Sequence, residues 1–306
     1  MNPFILYTYE GDYIAETSQV IYSHISLNFN DIGSLQITVS PDNPIMQYIT
    51  NNKYLLATFK GYHFVIVDYF ATDDEVEIYG RTLNWFLSKM VVPDFTNLGN
   101  KTVDVIADNL LSKAIGCSIV KGDFATFSEG KEFAKDTYTA FSDTLKELLQ
   151  LEKAGHEVVF DGSNYKLNIL KGNVREEFIS KQDGTISSVT KEESIIDAVT
   201  DGMYKLNSDD TETWKSISRD TKEGMYKWYK VLSASSATDA KTEIDVLVPK
   251  TILKAVTQRL KHGVDYKLGD FLKIQYETQG KIETFTKQII GVEITNTEEK
   301  IKFNEE

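Results

Sequence analysis

The chain has 306 residues, 41% of them apolar and 11% aromatic, with a net charge of −13, four arginines (Arg81, Arg175, Arg219 and Arg259) and one cysteine. That length and apolar content support real cores in two or three domains. No apolar run approaches the roughly 20 residues that span a bilayer, and an acidic chain poor in arginine argues against specific nucleic-acid binding.

Met1–Glu10 has no basic residue ahead of its short apolar run and no small-residue cleavage site, so no secretion signal is expected. Cys117 has no internal disulfide partner and reads as a small buried hydrophobe, as in chains assembled in a reducing cytosol.

From Phe4 to Gly80 the pattern has period two. Leu35, Ile37 and Val39 fall on one face and Gln36 and Thr38 on the other, which predicts antiparallel sheet. Runs 54–59 and 62–70 flank Lys60-Gly61, and run 76–79 follows Asp73-Asp74, so short turns link successive strands. Leu83, Phe86, Leu87 and Met90 then repeat at helical spacing behind Thr82, which reads as an N-cap. Residues 1–95 are expected to form a small β-barrel or sandwich closed by a short helix.

After Pro93 the period becomes 3.6. Val103, Ile106, Leu110 and Ala114 make a helical stripe behind Thr102 as cap, with Gly116 as the stop. A second helix is predicted over 139–153, with Phe141, Leu145, Leu148 and Leu149 on one face and Gly155 ending it. Strands 157–160 and 165–170 follow around Asp161-Gly162, a tight-turn signal. Residues 96–182 thus read as an α+β insert.

The strand pattern returns from Ile186 through Ile195 and Tyr204. The polar stretch 207–223 is expected to be an exposed loop, with strand resuming over 225–232. Pro249 opens a predicted helix whose stripe is Ile252, Leu253, Val256 and Leu260, ended by Gly263. Runs 271–276 and 282–292 form a hairpin around Gln279-Gly280, and 300–303 is the last strand. The order is therefore β, α+β, β, a β-rich α+β class in which the β segments 1–95 and 183–306 could be distant copies of one antiparallel β-barrel with the α+β insert between them.

The chemistry-bearing residues are scattered. No Gly-rich run leads into Lys and Ser or Thr as a P-loop requires, and no Gly-x-Ser-x-Gly elbow is present. His156-Glu157 begins like a zinc-protease helix, but Phe160 stands where the second histidine belongs, and Val158-Val159-Phe160 reads as strand. His24, His63, His156 and His262 share no ligand spacing. The acidic clusters Asp73, Asp74, Glu75, Glu77 and Asp209, Asp210, Glu212 lie in apparent turns, where water keeps carboxylates ionised instead of raising them into a catalytic acid. Trp85, Trp214, Tyr226, Trp228 and Tyr229 have the rings to stack on sugars, although core or interface packing explains such a strand equally well. No catalytic residue, cofactor site or metal site is assigned.

Three stretches carry a resemblance. Tyr62–Asp68 followed by Ile78-Tyr79-Gly80-Arg81-Thr82-Leu83 and Leu87 resembles the first barrel of phage tail-tip or baseplate hub proteins, where a strand ends in Gly-Arg or Gly-Lys and a short helix begins. Asp265-Tyr266-Lys267-Leu268-Gly269-Asp270, leading into strand 271–276, and Ile289-Ile290-Gly291-Val292-Glu293 resemble the Leu-Gly-Asp entry and closing hairpin of the same family. Gly269 permits a tight turn there and Asp270 can bond the local backbone, setting the register of the next strand. Barrel, insert and barrel is also the layout of the family over the whole chain.

The resemblance implies a non-enzymatic structural subunit, a homotrimer in which each chain supplies two tube-like barrels to a six-fold tail tube. DNA would pass through its channel without specific binding. The partners implied are a tail-tube or distal tail protein and a spike, tip or tail-associated hydrolase, since the chain reaches Glu306 without a hydrolase or spike of its own. The location implied is the virion tail tip or baseplate, after assembly in the host bacterial cytoplasm. An adhesion or carbohydrate-binding module is the alternative reading, and an enzyme the third.

Overall fold

The structure is a computed structural model and describes residues 2–94, 99–134, 138–196, 198–208, 211–219, 225, 227–278 and 280–305. The chain divides into two compact units, Met1–Val189 with Ala255–Phe303 and Thr190–Lys254 with Asn304–Glu306. It is β-rich with few helices, so the expected class stands at that level. No helix among the described residues is long and apolar enough to cross a membrane.

The first strands obey the two-residue period. β1 (Phe4–Thr8) pairs with β2 (Tyr13–Thr17), and β3 (Tyr22–Asn28) with β4 (Ser34–Val39). A short helix, α1 (Met46–Asn51), leads to β5 (Leu55–Phe59) and β6 (Tyr62–Ala71), joined by the short turn the sequence predicts, with Lys60 and Gly61 left-handed at φ 52° and 84°. β7 (Val76–Thr82) returns between β4 and β6. Leu35, Ile37 and Val39 are buried, while Gln36 on the opposite face bonds Glu77 across the strands at 3.0 Å.

The short helix after β7 is a 3-10 helix, Leu83–Lys89. Thr82 does not cap it: its hydroxyl instead accepts the Gly33 N–H at 2.8 Å, fastening the β3–β4 turn to the end of β7. β8 (Val91–Val92) precedes α2 (Val103–Lys113), β9 (Ile119–Phe124), β10 (Thr139–Ala140) and α3 (Phe141–Gln150). Thr102 occupies the N-cap position of α2 but makes no side-chain bond there. α3 is shorter than predicted. Thr139 and Ala140 are drawn into strand against β8, and the chain turns at Lys153 (φ 49°) before Gly155 opens a strand.

That strand, β11 (Gly155–Phe160), pairs with β12 (Tyr165–Leu170), and β12 runs parallel to β9. Asp161 Oδ1 accepts the Ser163 and Asn164 N–H groups at 2.9 and 2.8 Å, with Gly162 at φ 95°, so the Asp-Gly turn forms as expected. Val103, Ile106, Ala107 and Leu110 of α2, Phe141, Leu145, Leu148 and Leu149 of α3, and Val158, Leu167 and Ile169 of the sheet form one core with Leu83, Phe86 and Leu87. Each large side chain buried there contributes about 1.5–3 kcal/mol.

β13 (Val174–Ile179) is followed by β14 (Ser188–Ser194), β15 (Asp201–Ser208) and β16 (Thr211–Ser218). The stretch expected to be a loop is therefore partly strand, with β16 antiparallel to β15 from Asp201↔Ser218 to Ser208↔Thr211. Its solvent-facing composition hid it: Thr213, Trp214, Lys215 and Ser216 are all exposed. Positions 220–224 lie outside the described residues. β17 (Tyr229–Val231) runs parallel to β15.

The helix expected at 252–260 is likewise absent. Among the described residues of this unit the helix is α4 (Ala237–Asp245), capped by Ser236 Oγ accepting the Asp239 N–H at 3.1 Å. It buries Ala240 and Ile244 against Val199, Tyr204 and Leu232. β18 (Lys250–Thr257) takes the predicted helical stripe, with Leu253, Ala255 and Thr257 buried at alternate positions. Its four β-branched residues, Thr251, Ile252, Val256 and Thr257, favour strand over helix.

β19 (Phe271–Thr278) and β20 (Lys281–Ile294) make the closing hairpin, of which Gln279 lies outside the described residues, and β21 (Glu299–Phe303) ends the fold. In the first unit the strand order is β2-β1-β5-β6-β7-β4-β3-β20-β21, with β19 and β13 continuing from β20. No closed barrel is found among the described residues. Instead β3 and β20 pair from Ile25↔Ile294 to Asn28↔Gly291, which makes the first and last strand series one sheet.

Two glycines fit where a side chain does not. A Cβ on Gly155 would lie 2.3 Å from the Phe29 carbonyl oxygen, and one on Gly269 (φ 88°) would lie 2.2 Å from the Phe29 ring. Gly269→Ala is expected to lower unfolding stability by about 3 kcal/mol or more, the left-handed backbone alone costing about 1–2. Gly280→Ala, at φ 75° but with open space around it, costs only that backbone term. Urea unfolding of the two variants beside the parent checks the difference.

Candidate functional site

The first unit contains a cleft of about 690 Å³ where three parts of the chain meet. Tyr62, His63, Leu83 and Asn84 form one wall. Phe124, His156, Glu157, Val158, Asn168 and Lys171 form the second, and the loop from His262 through Lys267 and Leu268 to Asp270 forms the rim. Its size is that of a small-molecule site.

Asn84 organises the wall. It stands at a buried position of the 3-10 helix and works as a substitute strand for β11. Its Oδ1 accepts the Val158 N–H at 2.7 Å, and its Nδ2 donates to the carbonyls of Asp31 (3.1 Å) and His156 (3.4 Å). His156 is buried, with Nδ1 2.8 Å from Asn30 Oδ1. Burial drives its pKa down to about 4, with nearby Asp31 pulling the other way, so the ring is neutral at pH 7. Lys146 reaches Asp31 Oδ2 at 2.5 Å, tying α3 to the same turn.

The rim depends on the Leu-Gly-Asp turn. Asp270, 1% exposed, accepts the Asn173 N–H at 3.0 Å and the Lys267 N–H at 3.1 Å. Arg175 donates to its Oδ2 from Nε and Nη2, both at 2.8 Å. The expected local backbone bond of Asp270 is present, and the bonds to Asn173 and Arg175 extend it to the start of β13. Beside the rim, burial raises Tyr62 to about 12 and pushes Tyr266 higher still, the latter helped by its bond to Glu299. Burial lowers both His63 and His262.

Three of the four histidines the sequence scatters, His63, His156 and His262, thus line one cleft, while His24 lies on β3. Among the described residues no group of three or more His, Cys, Asp and Glu is placed to hold a metal ion. Asp73, Asp74 and Glu75 are exposed in a turn, as expected, whereas Glu77 is on β7 and accepts from Gln36 and from Tyr79. Asp209, Asp210, Tyr226 and the side chain of Glu212 lie outside the described residues. Trp85 packs beside the insert core with Lys89 Nζ 4.7 Å from its ring centroid. Trp214, Trp228 and Tyr229 are exposed on the second unit, and Cys117 is half-buried, its thiol pKa raised by burial.

Sequence reasoning passed over Asn84, Arg175 and Glu299. Two of these left a signal. Asn84 interrupts an apolar run, Leu83 to Leu87, and Glu299 shares the alternation of Ile301 and Phe303, which puts a carboxylate on a buried face.

Neither a family model nor a curated protein matches the chain by sequence. Solved structures do share its fold. The 43 kDa tail protein of prophage MuSo2 from Shewanella oneidensis has a TM-score of 0.64 at 14% identity, over 99% of this chain and 98% of that one. A tail protein from Neisseria meningitidis MC58 has a TM-score of 0.63 at 10% identity, over 99% and 96%. The prophage tail protein gp18 of Listeria monocytogenes EGD-e has a TM-score of 0.59 at 13% identity, over 99% and 95%. The chain therefore has the fold of phage tail proteins.

Two outcomes follow from the site. Below about pH 6.5 the unfolded chain protonates His156 while the folded chain does not until about 4, so stability falls as pH drops through that window, by about 3 kcal/mol in total. His156→Gln flattens this slope in denaturant unfolding measured at several pH values. Asp270→Asn, which leaves Arg175 without its carboxylate, lowers stability by about 2–3 kcal/mol at pH 7, read from the same unfolding curves.

Proposed function

We propose that the protein is a structural, non-enzymatic subunit of a phage-type tail tip or baseplate. It acts as a homotrimeric hub ring between the tail tube and the distal spike or tip. The observation that carries this reading is the sharing of a fold with phage tail proteins over nearly the whole length of both chains. In this reading residues 1–95 and 183–306 supply two tube-like β-barrel domains and residues 96–182 the insert. The strand series β1–β7 supports the first of these, and the core of α2, α3 and β11–β12 joins the insert to it through Leu56, Val65, Leu83, Phe86 and Leu87.

The trimer surrounds the DNA channel, and part of the −13 charge lines it, repelling the phosphate backbone so that the polymer passes without sticking. Its partners are a tail-tube or distal tail protein and a spike, tip or tail-associated hydrolase. It is assembled in the host bacterial cytoplasm and resides at the virion tail tip. An adhesion or glycan-binding module is the second reading, favoured by Trp214 and Tyr229, 51% and 54% exposed.

Negative-stain electron microscopy with native mass measurement on one sample is the test. Threefold rings with a central hole are the expected outcome. A monomer that stays monomeric when co-expressed with tail-tube and distal tail proteins overturns the hub, and a basic lumen in a trimer overturns the channel assignment.

A further inference from the structure

One histidine at the cleft rim has its two ring nitrogens in opposite roles. The Leu268 backbone N–H points at His262 Nε2 at 3.3 Å. A backbone amide only donates, so Nε2 is the unprotonated nitrogen. The proton of the neutral ring is then on Nδ1, which donates to Tyr62 Oη at 2.8 Å. The backbone N–H of His262 donates to Glu299 Oε2 at 2.8 Å, and the Tyr266 hydroxyl donates to the same oxygen at 2.6 Å. The Tyr266 ring, 1% exposed, packs edge-on against the imidazole with centroids 5.6 Å apart. The start of β6, the loop before β19 and the strand β21 thus converge on one imidazole.

We infer that His262 is an acid-released latch on the cleft: a proton added at Nε2 sets two donors face to face across the Leu268 contact, releases Leu268 from the imidazole and loosens the rim loop 263–268. The inference does not rest on the proposed role in a tail.

The charged and titratable groups around the ring decide the direction. Glu299 from β21 and Asp270 from the rim favour the cation, whereas Lys267 opposes it. Tyr62 faces it from β6, Lys60 donates to the Thr295 carbonyl at 2.7 Å nearby, and Lys261 Nζ stands 4.0 Å from Glu299. Asp265 is occupied by the Lys261 N–H, and Arg175 offsets Asp270. Burial outweighs the two carboxylates and holds the ring below its ordinary value, so the latch is closed at neutral pH and opens only on acidification below the ordinary histidine range. Apart from the Leu268 contact, the loop keeps its internal bonds on release, because Gly263 N–H donates to the Tyr266 carbonyl and Asp265 N–H to the Lys261 carbonyl, at 2.8 and 2.9 Å.

The test is hydrogen exchange by mass spectrometry on the full chain, stepped from about pH 7.5 to about pH 4.5 and normalised for intrinsic exchange. The variant is His262→Gln, whose amide offers one acceptor to Leu268 and one donor to Tyr62 but no titrating proton. The parent is expected to lose protection over residues 261–270 by about tenfold or more on acidification, while the variant keeps it. Protection retained in the parent throughout, or the same opening in the variant, overturns the latch. Nitrogen-edited NMR of the parent gives a reading independent of the variant's folding: one common midpoint for the His262 ring and the Leu268 amide supports it, and separate midpoints overturn it.

Discussion

The close packing around Phe29 is the constraint on which the first unit depends. Its N–H donates to the Ile290 carbonyl of β20 at 3.0 Å, its carbonyl accepts the His156 N–H at 3.2 Å, and its ring fills the space that Cβ atoms on Gly155 and Gly269 would need. Gly172 approaches the same place, its hypothetical Cβ falling 1.6 Å from the Gly269 oxygen. Segments more than a hundred residues apart therefore meet backbone to ring. Contacts of this kind are paid for in loop-closure entropy before any burial is gained. The burial of one phenylalanine, about 1.5–3 kcal/mol, does not hold them alone. The geometry matters because it sets the insert and the last strand series against the first, and the cleft is the space left between them.

Buried polar side chains complete that junction. β11 presents one edge toward Phe29 and Asn84 in place of another strand, and the two residues satisfy the His156 and Val158 amides with one backbone carbonyl and one side-chain oxygen. Asp270 and Glu299 do the same for the rim, each accepting from backbone and side-chain donors. An apolar residue at any of these positions would leave buried donors unpaired, at a cost of about 1–3 kcal/mol each. These three polar residues specify which segments meet, where a purely apolar junction would tolerate sliding.

Much of this was legible in the residues where burial is one-sided. β4, the β5–β6 turn at Lys60-Gly61, the stripes of α2 and α3, and the turn at Gly269-Asp270 all read correctly, because each has an apolar period or a left-handed glycine that admits few alternatives. The misreadings have two causes. β16 has exposed residues on both faces and so lacks a period, while Ile252, Leu253 and Val256 of a β-branched strand fall by coincidence at a helical spacing with Leu260 beyond its end. The cleft was not legible at all. Its histidines come from positions 63, 156 and 262, and only the packing around Phe29 brings those stretches together.

The fold is shared with tail proteins at 10–14% identity, so nearly every side chain differs between chains of the same architecture. A sheet can survive that much replacement because its register is set by which face is buried and by where the backbone approaches closely. Neither demand reaches the surface, and partners and activity are written in the surface and in sites, not in the fold. Here the surface carries the −13 charge and exposed aromatics such as Phe70 on β6 and Trp214 on β16. Single exposed rings of this kind are ordinary on a folded chain, and only a contiguous apolar patch marks an interface. The cleft is different in kind: it is built from the internal joints of one unit, so a rearrangement there is a change of shape within the chain itself.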